Sequence, residues 1–362
     1  MSIIQNDKQE KCLEQANMLL KFLKEYSLFF YLNKRLLARR DVKNITINVP
    51  NLNKMFKNRI YYLIGLLSLA ARSAVAIKLT SEQINNYQRD GVIVVKRLIR
   101  GRKLRKAQSD AKILVKQSKS LRDIYRHLSF QGWYANKKLR NIAFNSPAPR
   151  IAAQLMGLDK KQPLRVMKDA LLALSPGDKA CGWHVDDKIF WPCYDDSKLG
   201  AANEGINVWI TLSPLRAKEG GGLAVAPGSS NATWREKCRG FIGTFTPGAP
   251  PITCELATLS PKCNRLLESM KTLHDMEPGD AIFHSRYCFH KGETFDEGET
   301  KLRYSIRYMP SSARLFDNGH EIAIRKKGLS DGALISDAGE YYPQVWPYSI
   351  FKERWRIWLG LR

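Results

Sequence analysis

Cysteine is sparse and unclustered in this sequence: seven in 362 residues, none in a C-x-x-C arrangement, with Cys181, Cys193, Cys238, Cys254, Cys263 and Cys288 standing singly. That excludes a zinc ribbon or a small disulfide scaffold and predicts reduced, partly buried thiols in a reducing, intracellular setting. Long hydrophobic runs are missing too. The apolar stretch Ile60 to Ala71 is shorter than the roughly 20 residues of a membrane-spanning helix, and Arg72 ends it. No Lys-Ser/Thr follows Gly220-Gly-Gly222, so that stretch is a strand turn and not a phosphate loop. There is no paired Cys/His finger and no aromatic RNA-binding signature, so a nucleic-acid partner is not expected. Internal repeats and low-complexity segments are absent. Acidic residues are few, 34 against 59 Lys and Arg, leaving a net charge of +25. Only six histidines occur, so each one that falls into a pattern carries weight.

What is present suffices for a large core: 44% of residues are hydrophobic and 10% aromatic. The positive charge is concentrated, with twelve Lys or Arg against two Asp between Lys96 and Arg126. A solvated basic helix explains such a run, as does a small anionic substrate or an anionic membrane face. Residues 1–78 form an extension unlike the rest. Asn17 to Arg40 reads as a basic amphipathic helix, and Met55-Phe-Lys-Asn-Arg, the apolar run and Ala74-Val-Ala76 have the layout of a secretory signal. Three readings stay open: Met55 as the start, a bipartite presequence giving organelle targeting, or a helix packed on the domain or held against a membrane.

Residues 79–362 are read as the main domain. Thr80 or Ser81 caps a helix start, and Gly91 to Val95 is a short buried strand. A helix with Leu104, Ala107, Ala111, Leu114, Leu121 and Tyr125 inward carries the basic run outward. Another covers Pro147 to Met156. Short strands follow at Leu164–Leu174, Ile206–Leu212, Gly222–Ala226, Asp280–Phe283 and Arg303–Met309. Helices first and strands afterwards predict a mainly β fold, a jelly roll or sandwich with flanking α-helices.

Within it, Gly182-Trp-His184-Val-Asp186 places an imidazole and a carboxylate two residues apart, on one side of an extended segment. His290 follows 104 residues after Asp186, beyond the turn Pro278-Gly279-Asp280. Two imidazoles and one carboxylate make a facial triad for non-haem Fe(II), leaving positions open for a bidentate co-substrate and O2. Thirteen residues after His290, Arg303 and Ser305 share a strand face, and guanidinium plus hydroxyl suits the distal carboxylate of 2-oxoglutarate. Lys301 and Arg307 share that parity, so each could face the pocket. His284 shares strand parity with His290 and is a reserve ligand or a neighbour of the site. His127, His274 and His320 read as surface or capping residues, Asp187 as a neighbour of the ligand, and Trp183 as core.

These pieces together resemble the phytanoyl-CoA hydroxylase family of Fe(II)/2-oxoglutarate dioxygenases. The resemblance runs from about Leu79 to Pro310, on Leu79-Thr-Ser-Glu-Gln-Ile, Arg89-Asp90-Gly91, Asn207-Val-Trp-Ile-Thr-Leu, Gly220-Gly-Gly-Leu-Ala-Val-Ala-Pro227, Gly279-Asp280 and His290-Lys-Gly292. It implies a double-stranded β-helix (jelly-roll or cupin-like) core. It implies His184, Asp186 and His290 as iron ligands and Arg303 as the 2-oxoglutarate anchor, with Asn207 and Trp209 lining the co-substrate cavity. Two departures stand out: Lys291 sits between His290 and Gly292, and Lys301 occupies the place where the family's anchoring Arg commonly stands. The expected reaction is oxidation, by default hydroxylation, of a C–H bond of a small anionic substrate, releasing succinate and CO2. The stretch from Gly182 to Pro192 also resembles oxidative cyclases that form kainoid amino acids, so ring closure or desaturation is the alternative. An inactive binding module of the same fold is the reading from another class, and the intact His184, Asp186, His290 and Arg303 count against it.

Overall fold

The structure is a computed structural model that describes residues 77–117, 127–130, 132–186, 205–231, 238, 260–317 and 322–347. The chain divides into two compact units, Met1–Val75 and Ala76–Arg362, and the described residues belong to the second. The expectations for the N-terminal extension, for Asp187, for the stretch 190–192 and for His320 lie outside the described residues.

Helix α1 (Ser81–Asp90) begins where the sequence signals it. Thr80 Oγ1 accepts from the Gln83 amide and Gln83 Oε1 accepts from the Thr80 amide, a reciprocal capping box. Gly91 closes the helix at φ +70° and leads into β1 (Val92–Val95). Helix α2 (Gly101–Gln117), β2 (His127–Phe130) and three short helices, α3 (Gly132–Ala135), α4 (Lys137–Asn145) and α5 (Ala148–Leu155), come next. Strands β3 (Leu164–Leu174), β4 (Ile206–Thr211) and β5 (Leu223–Val225) precede α6 (Pro261–Ser269). The chain continues through β6 (Ala281–Ser285), β7 (His290–Gly292) and β8 (Lys301–Pro310) to α7 (Ile322–Lys327) and β9 (Gln344–Trp346).

Among the described residues the major sheet has the order β1-β6-β4-β8-β3-β2, with β9 on β3, and every pairing is antiparallel. A minor sheet pairs β5 with β7, and an isolated bridge between His184 and His290 extends it. This curled antiparallel architecture with outer helices agrees with the predicted jelly roll. The strands foreseen at 164–174 and 206–212 are found within one residue; β2, β7 and β9 were not foreseen, because none is the wholly apolar run that marks the equally short β1 and β5. His127, read as a loop or helix-end residue, begins β2.

Alternation along β8 sorts its side chains. Tyr304, Ile306 and Tyr308 join the core beneath α2, α4 and α5, while Arg303, Ser305 and Arg307 face the space between the sheets. Tyr308 Oη donates to the Ala143 carbonyl at 2.7 Å, fastening α4 to the sheet. On α2, Ala107, Ala111 and Val115 are buried, and Arg102, Arg105, Lys106, Lys112 and Lys116 form an exposed stripe. The described basic residues of α2 therefore lie on the outer, helical layer and do not line the space between the sheets.

The Pro278-Gly279-Asp280 turn is structural. Asp280 accepts from the amides of Arg97 (2.7 Å) and Glu277 (2.9 Å), and a Cβ on Gly279, at φ +94°, would lie 2.1 Å from the Ile99 carbonyl oxygen.

One expectation is overturned. Cys238 and Cys263 are joined in a disulfide with a Cα–Cα distance of 5.9 Å, and Cys181 is disulfide-bonded as well. The 25 residues between Cys238 and Cys263 hid the pairing, because proximity of distant cysteines is a tertiary fact. Cys288 is the buried free thiol among the described residues.

Candidate metal centre

Three buried side chains meet between the two sheets. His184 comes from the extended segment after Ser175, Asp186 lies two residues on, and His290 opens β7. The backbones of His184 and His290 exchange both hydrogen bonds, at 3.0 and 2.9 Å, which sets their rings side by side with centroids 4.2 Å apart. Candidate ligand atoms of the three residues all lie within 4.8 Å of one another. Asp186 Oδ1 stands 3.8 Å from His184 Nε2 and 3.7 Å from His290 Nε2.

Hydrogen bonds fix the tautomer of both imidazoles. His184 Nδ1 bonds the Gly182 carbonyl at 2.7 Å and His290 Nδ1 bonds the Cys288 carbonyl at 2.9 Å. A carbonyl partner requires Nδ1 to carry the proton, which leaves the Nε2 lone pairs turned to the common centre. Burial holds both rings below the ordinary imidazole range, His290 well below it, so they are neutral.

Asp186 is held as an anion. Burial by itself would raise its carboxyl, yet the Arg307 guanidinium beside it holds it well below the usual carboxylate range. Its Oδ2 accepts from Arg307 Nε at 3.1 Å and from Asn207 Nδ2 at 2.7 Å, and Arg307 Nη2 lies 2.9 Å away. With Oδ2 occupied, Oδ1 is the oxygen turned toward the histidines.

The other predicted residues divide. Arg303 and Ser305 line the cavity with the three candidate ligands, together with Ala170, Leu172, Trp209 and Leu223. The Arg303 guanidinium carbon sits 5.9 Å from the Trp209 ring centroid, and Arg303 is only 2% exposed. Lys301 does not join them: its Nζ reaches the Pro214 carbonyl at 3.4 Å and lies over the Phe295 ring. Asn207 touches the carboxylate and not the cavity wall. His284 stacks on His290 with centroids 4.3 Å apart; burial pushes it down to about 4, so it adds a neutral wall. Trp183 is buried as core, and His274 lies in a loop.

Sequence reasoning missed the grip of Arg307 and Asn207 on Asp186. Arg307 shares strand parity with Arg303 and lines the same cavity, but parity alone does not tell that its guanidinium is engaged by Asp186. Register does. Asn207 pairs with Arg307 on one side and with His284 on the other, so three adjacent strands present these side chains in one row beside Asp186.

A family model described as phytanoyl-CoA dioxygenase matches residues 87–295, more than half of the chain. The chain belongs to the phytanoyl-CoA dioxygenase family. It is thus an oxidoreductase, and Fe(II) and 2-oxoglutarate are the cofactor and co-substrate that this dioxygenase's His-Asp-His set suits. No curated protein matches the sequence.

Solved structures add the fold. The non-haem α-ketoglutarate-dependent carbocyclase SnoK from nogalamycin biosynthesis is 18% identical with a TM-score of 0.56, over 74% of this chain and 97% of that one. The epimerase SnoN, crystallised with Fe3+, α-ketoglutarate and nogalamycin RO, is 19% identical with a TM-score of 0.56, over 73% and 97%. EctD from S. alaskensis with bound Fe is 17% identical with a TM-score of 0.50, over 71% and 87%.

The residues fit the metal. Two neutral nitrogens and one anionic oxygen, all buried and converging, give the donor set that a non-haem Fe(II) site uses. Among the described residues no other group of His, Cys, Asp and Glu could hold an ion, and no helix is long and apolar enough to cross a membrane.

Proposed function

We propose that His184, Asp186 and His290 hold Fe(II), that Arg303 and Ser305 receive the distal carboxylate of 2-oxoglutarate, and that the enzyme hydroxylates a C–H bond of a small organic substrate. The carrying observation is that a buried His-Asp-His set and a buried Arg–Ser pair line one cavity. The bound metal would supply the activation of O2 at the expense of the keto acid, which leaves as succinate and CO2. The protein's own residues do the rest. Arg307 and Asn207 keep Oδ2 of Asp186 engaged, which orients Oδ1. Carbonyls of Gly182 and Cys288 hold the imidazole rings in one tautomer. Trp209, Leu172 and Leu223 limit water around the reacting carbon.

Arg303 is the favoured anchor because its guanidinium can grip a carboxylate bidentately with Ser305 beside it. Register supports the pairing, since Leu172 lies opposite Arg303 and Ala170 opposite Ser305, and these small or apolar partners leave room above the strand. The basic stripe of α2 lies on the outer layer, and in this reading the two cavity arginines serve the co-substrate and Asp186, so the reading is of a small organic substrate without a charge assigned to it.

The test is anaerobic addition of Fe(II) and 2-oxoglutarate to the apoprotein. A weak visible charge-transfer band, lost in His290→Ala, is the expected result. Folded, iron-loaded protein without the band would show that the keto acid does not chelate the metal, and the assignment would fail.

A further inference from the structure

Lys291 separates this chain from its family's usual His-Gly, and nothing in the reading above uses it. Its surroundings point to a task. His184 and His290 form an isolated antiparallel bridge, so their chain neighbours Trp183 and Lys291 come to lie side by side, although the next backbone bond, Gly292 N to Cys181 O at 3.0 Å, is shifted out of regular register. Alternation turns this pair away from the cavity as it turns the two imidazoles into it. Lys291 Nζ lies 5.5 Å from the Trp183 ring centroid.

Both side chains end on one carboxylate. Glu268, on the last turn of α6, accepts from Trp183 Nε1 at 2.9 Å and from Lys291 Nζ at 2.5 Å, both at Oε1. Lys291 also meets Glu293 at 3.1 Å, and Lys271 bridges Glu293 (3.2 Å) and Glu268 (3.5 Å), closing an alternating ring of four charges. Trp183 is 1% exposed and packs with Val185, Phe289, Leu267 and the Cys238–Cys263 pair. One acceptor atom thus joins the two segments that carry the imidazoles, one residue from each.

We propose that Glu268 is a positioning residue for the metal centre, tying Trp183 to Lys291 and so fixing the spacing of His184 and His290. The proposal rests on the assignment of those histidines as ligands. Among the described residues the two histidine-bearing segments are joined by the His184–His290 bridge, the Gly292 N to Cys181 O bond at 3.0 Å and the Asp186 N to Arg286 O bond at 3.1 Å, a short ladder whose spreading a side-chain tie can resist. Tension on the outer face from a shared carboxylate opposes that spreading. Its effect on the metal is of the kind exerted by groups that orient ligands without touching the ion.

The experiment measures Fe(II) affinity anaerobically, and Mn(II) affinity by electron paramagnetic resonance, for the full chain and its variants. Glu268→Ala is expected to weaken both metals ~10-fold. Glu268→Gln, which keeps the acceptor for both partners but loses the charge, is expected to recover most of that loss. Trp183→Phe, which removes the donor and keeps a ring, is expected to weaken the metals as well. Lys271→Ala alters the ring without touching Trp183 and is expected to bind like the parent. In the apoprotein, the Trp183 indole N–H resonance should shift and exchange faster in Glu268→Ala. If Glu268→Ala lowers thermal stability while metal affinity stays within twofold of the parent, Glu268 only packs and the proposal is overturned. Parent protein that binds neither metal removes the metal-centre assignment and this proposal with it. Parent that binds, with unchanged affinity in Glu268→Ala and Trp183→Phe, removes this proposal alone.

Discussion

Arg307 and Asn207 are registered neighbours on β8 and β4, and both donate to the same oxygen of Asp186, Oδ2, from 3.1 and 2.7 Å. A carboxylate bound through one oxygen can take either face of a site; here two donors on rigid strands remove that freedom. Orientation and charge come from the same pair.

Replacing Arg307 tests this. Arg307→Gln is expected to weaken Fe(II) binding ~10- to 100-fold, the range for groups that orient a metal ligand. Anaerobic Fe(II) titration measures it. Unchanged affinity would show that Asp186 is held in place without Arg307.

Arg303 and Lys301 are separated by a different measurement. Arg303→Gln is expected to raise the KM for 2-oxoglutarate at least ~10-fold, since a charged hydrogen bond contributes roughly 1.5–3 kcal/mol, while Fe(II) affinity changes little. Lys301→Gln is expected to leave both unchanged, because its Nζ turns to the Pro214 carbonyl and the Phe295 ring and Lys301 does not line the cavity. The reverse pattern would make Lys301 the anchor.

Behind the sheet, Asp169 accepts from Tyr304 Oη at 2.5 Å and from the Trp133 amide at 2.8 Å. Burial, the largest influence, pushes its carboxyl from 3.8 up to about 6 in spite of these donors. The folded protein therefore holds this proton more tightly than the unfolded chain does. Stability from this group is full below about pH 4 and is lost as the pH rises through about 6. Against Asp169→Asn, urea unfolding should show a relative loss of about 3 kcal/mol in the parent across that window. A flat difference would mean Asp169 titrates alike in both states.

The disulfide gives the last expectation. Cys238 and Cys263 are 25 positions apart, and Cys263→Ser is expected to lower unfolding stability by ~3 kcal/mol through the freed chain between them. Denaturant melts of the parent and of Cys263→Ser, both without reductant, measure it, since reductant would also open the bond at Cys181. Equal stability would mean the closed loop constrains the unfolded chain little.

By itself the sequence determined the chemistry's raw material and much of the frame. His184 and Asp186 two apart, Arg303 and Ser305 two apart, and a downstream His290 are local patterns, and period-two alternation makes them meaningful before any contact is known. The capped helix start at Thr80 or Ser81 and the eleven-residue β3 were legible for the same reason: each is decided by neighbours along the chain. Tertiary structure decided the rest. Which cation enters the cavity, that Asn207 serves Asp186, that Glu268 meets Trp183 and Lys291, and that Cys238 meets Cys263 all depend on strand register or long-range packing. A one-residue slip reverses such relations, and no single segment's composition records them.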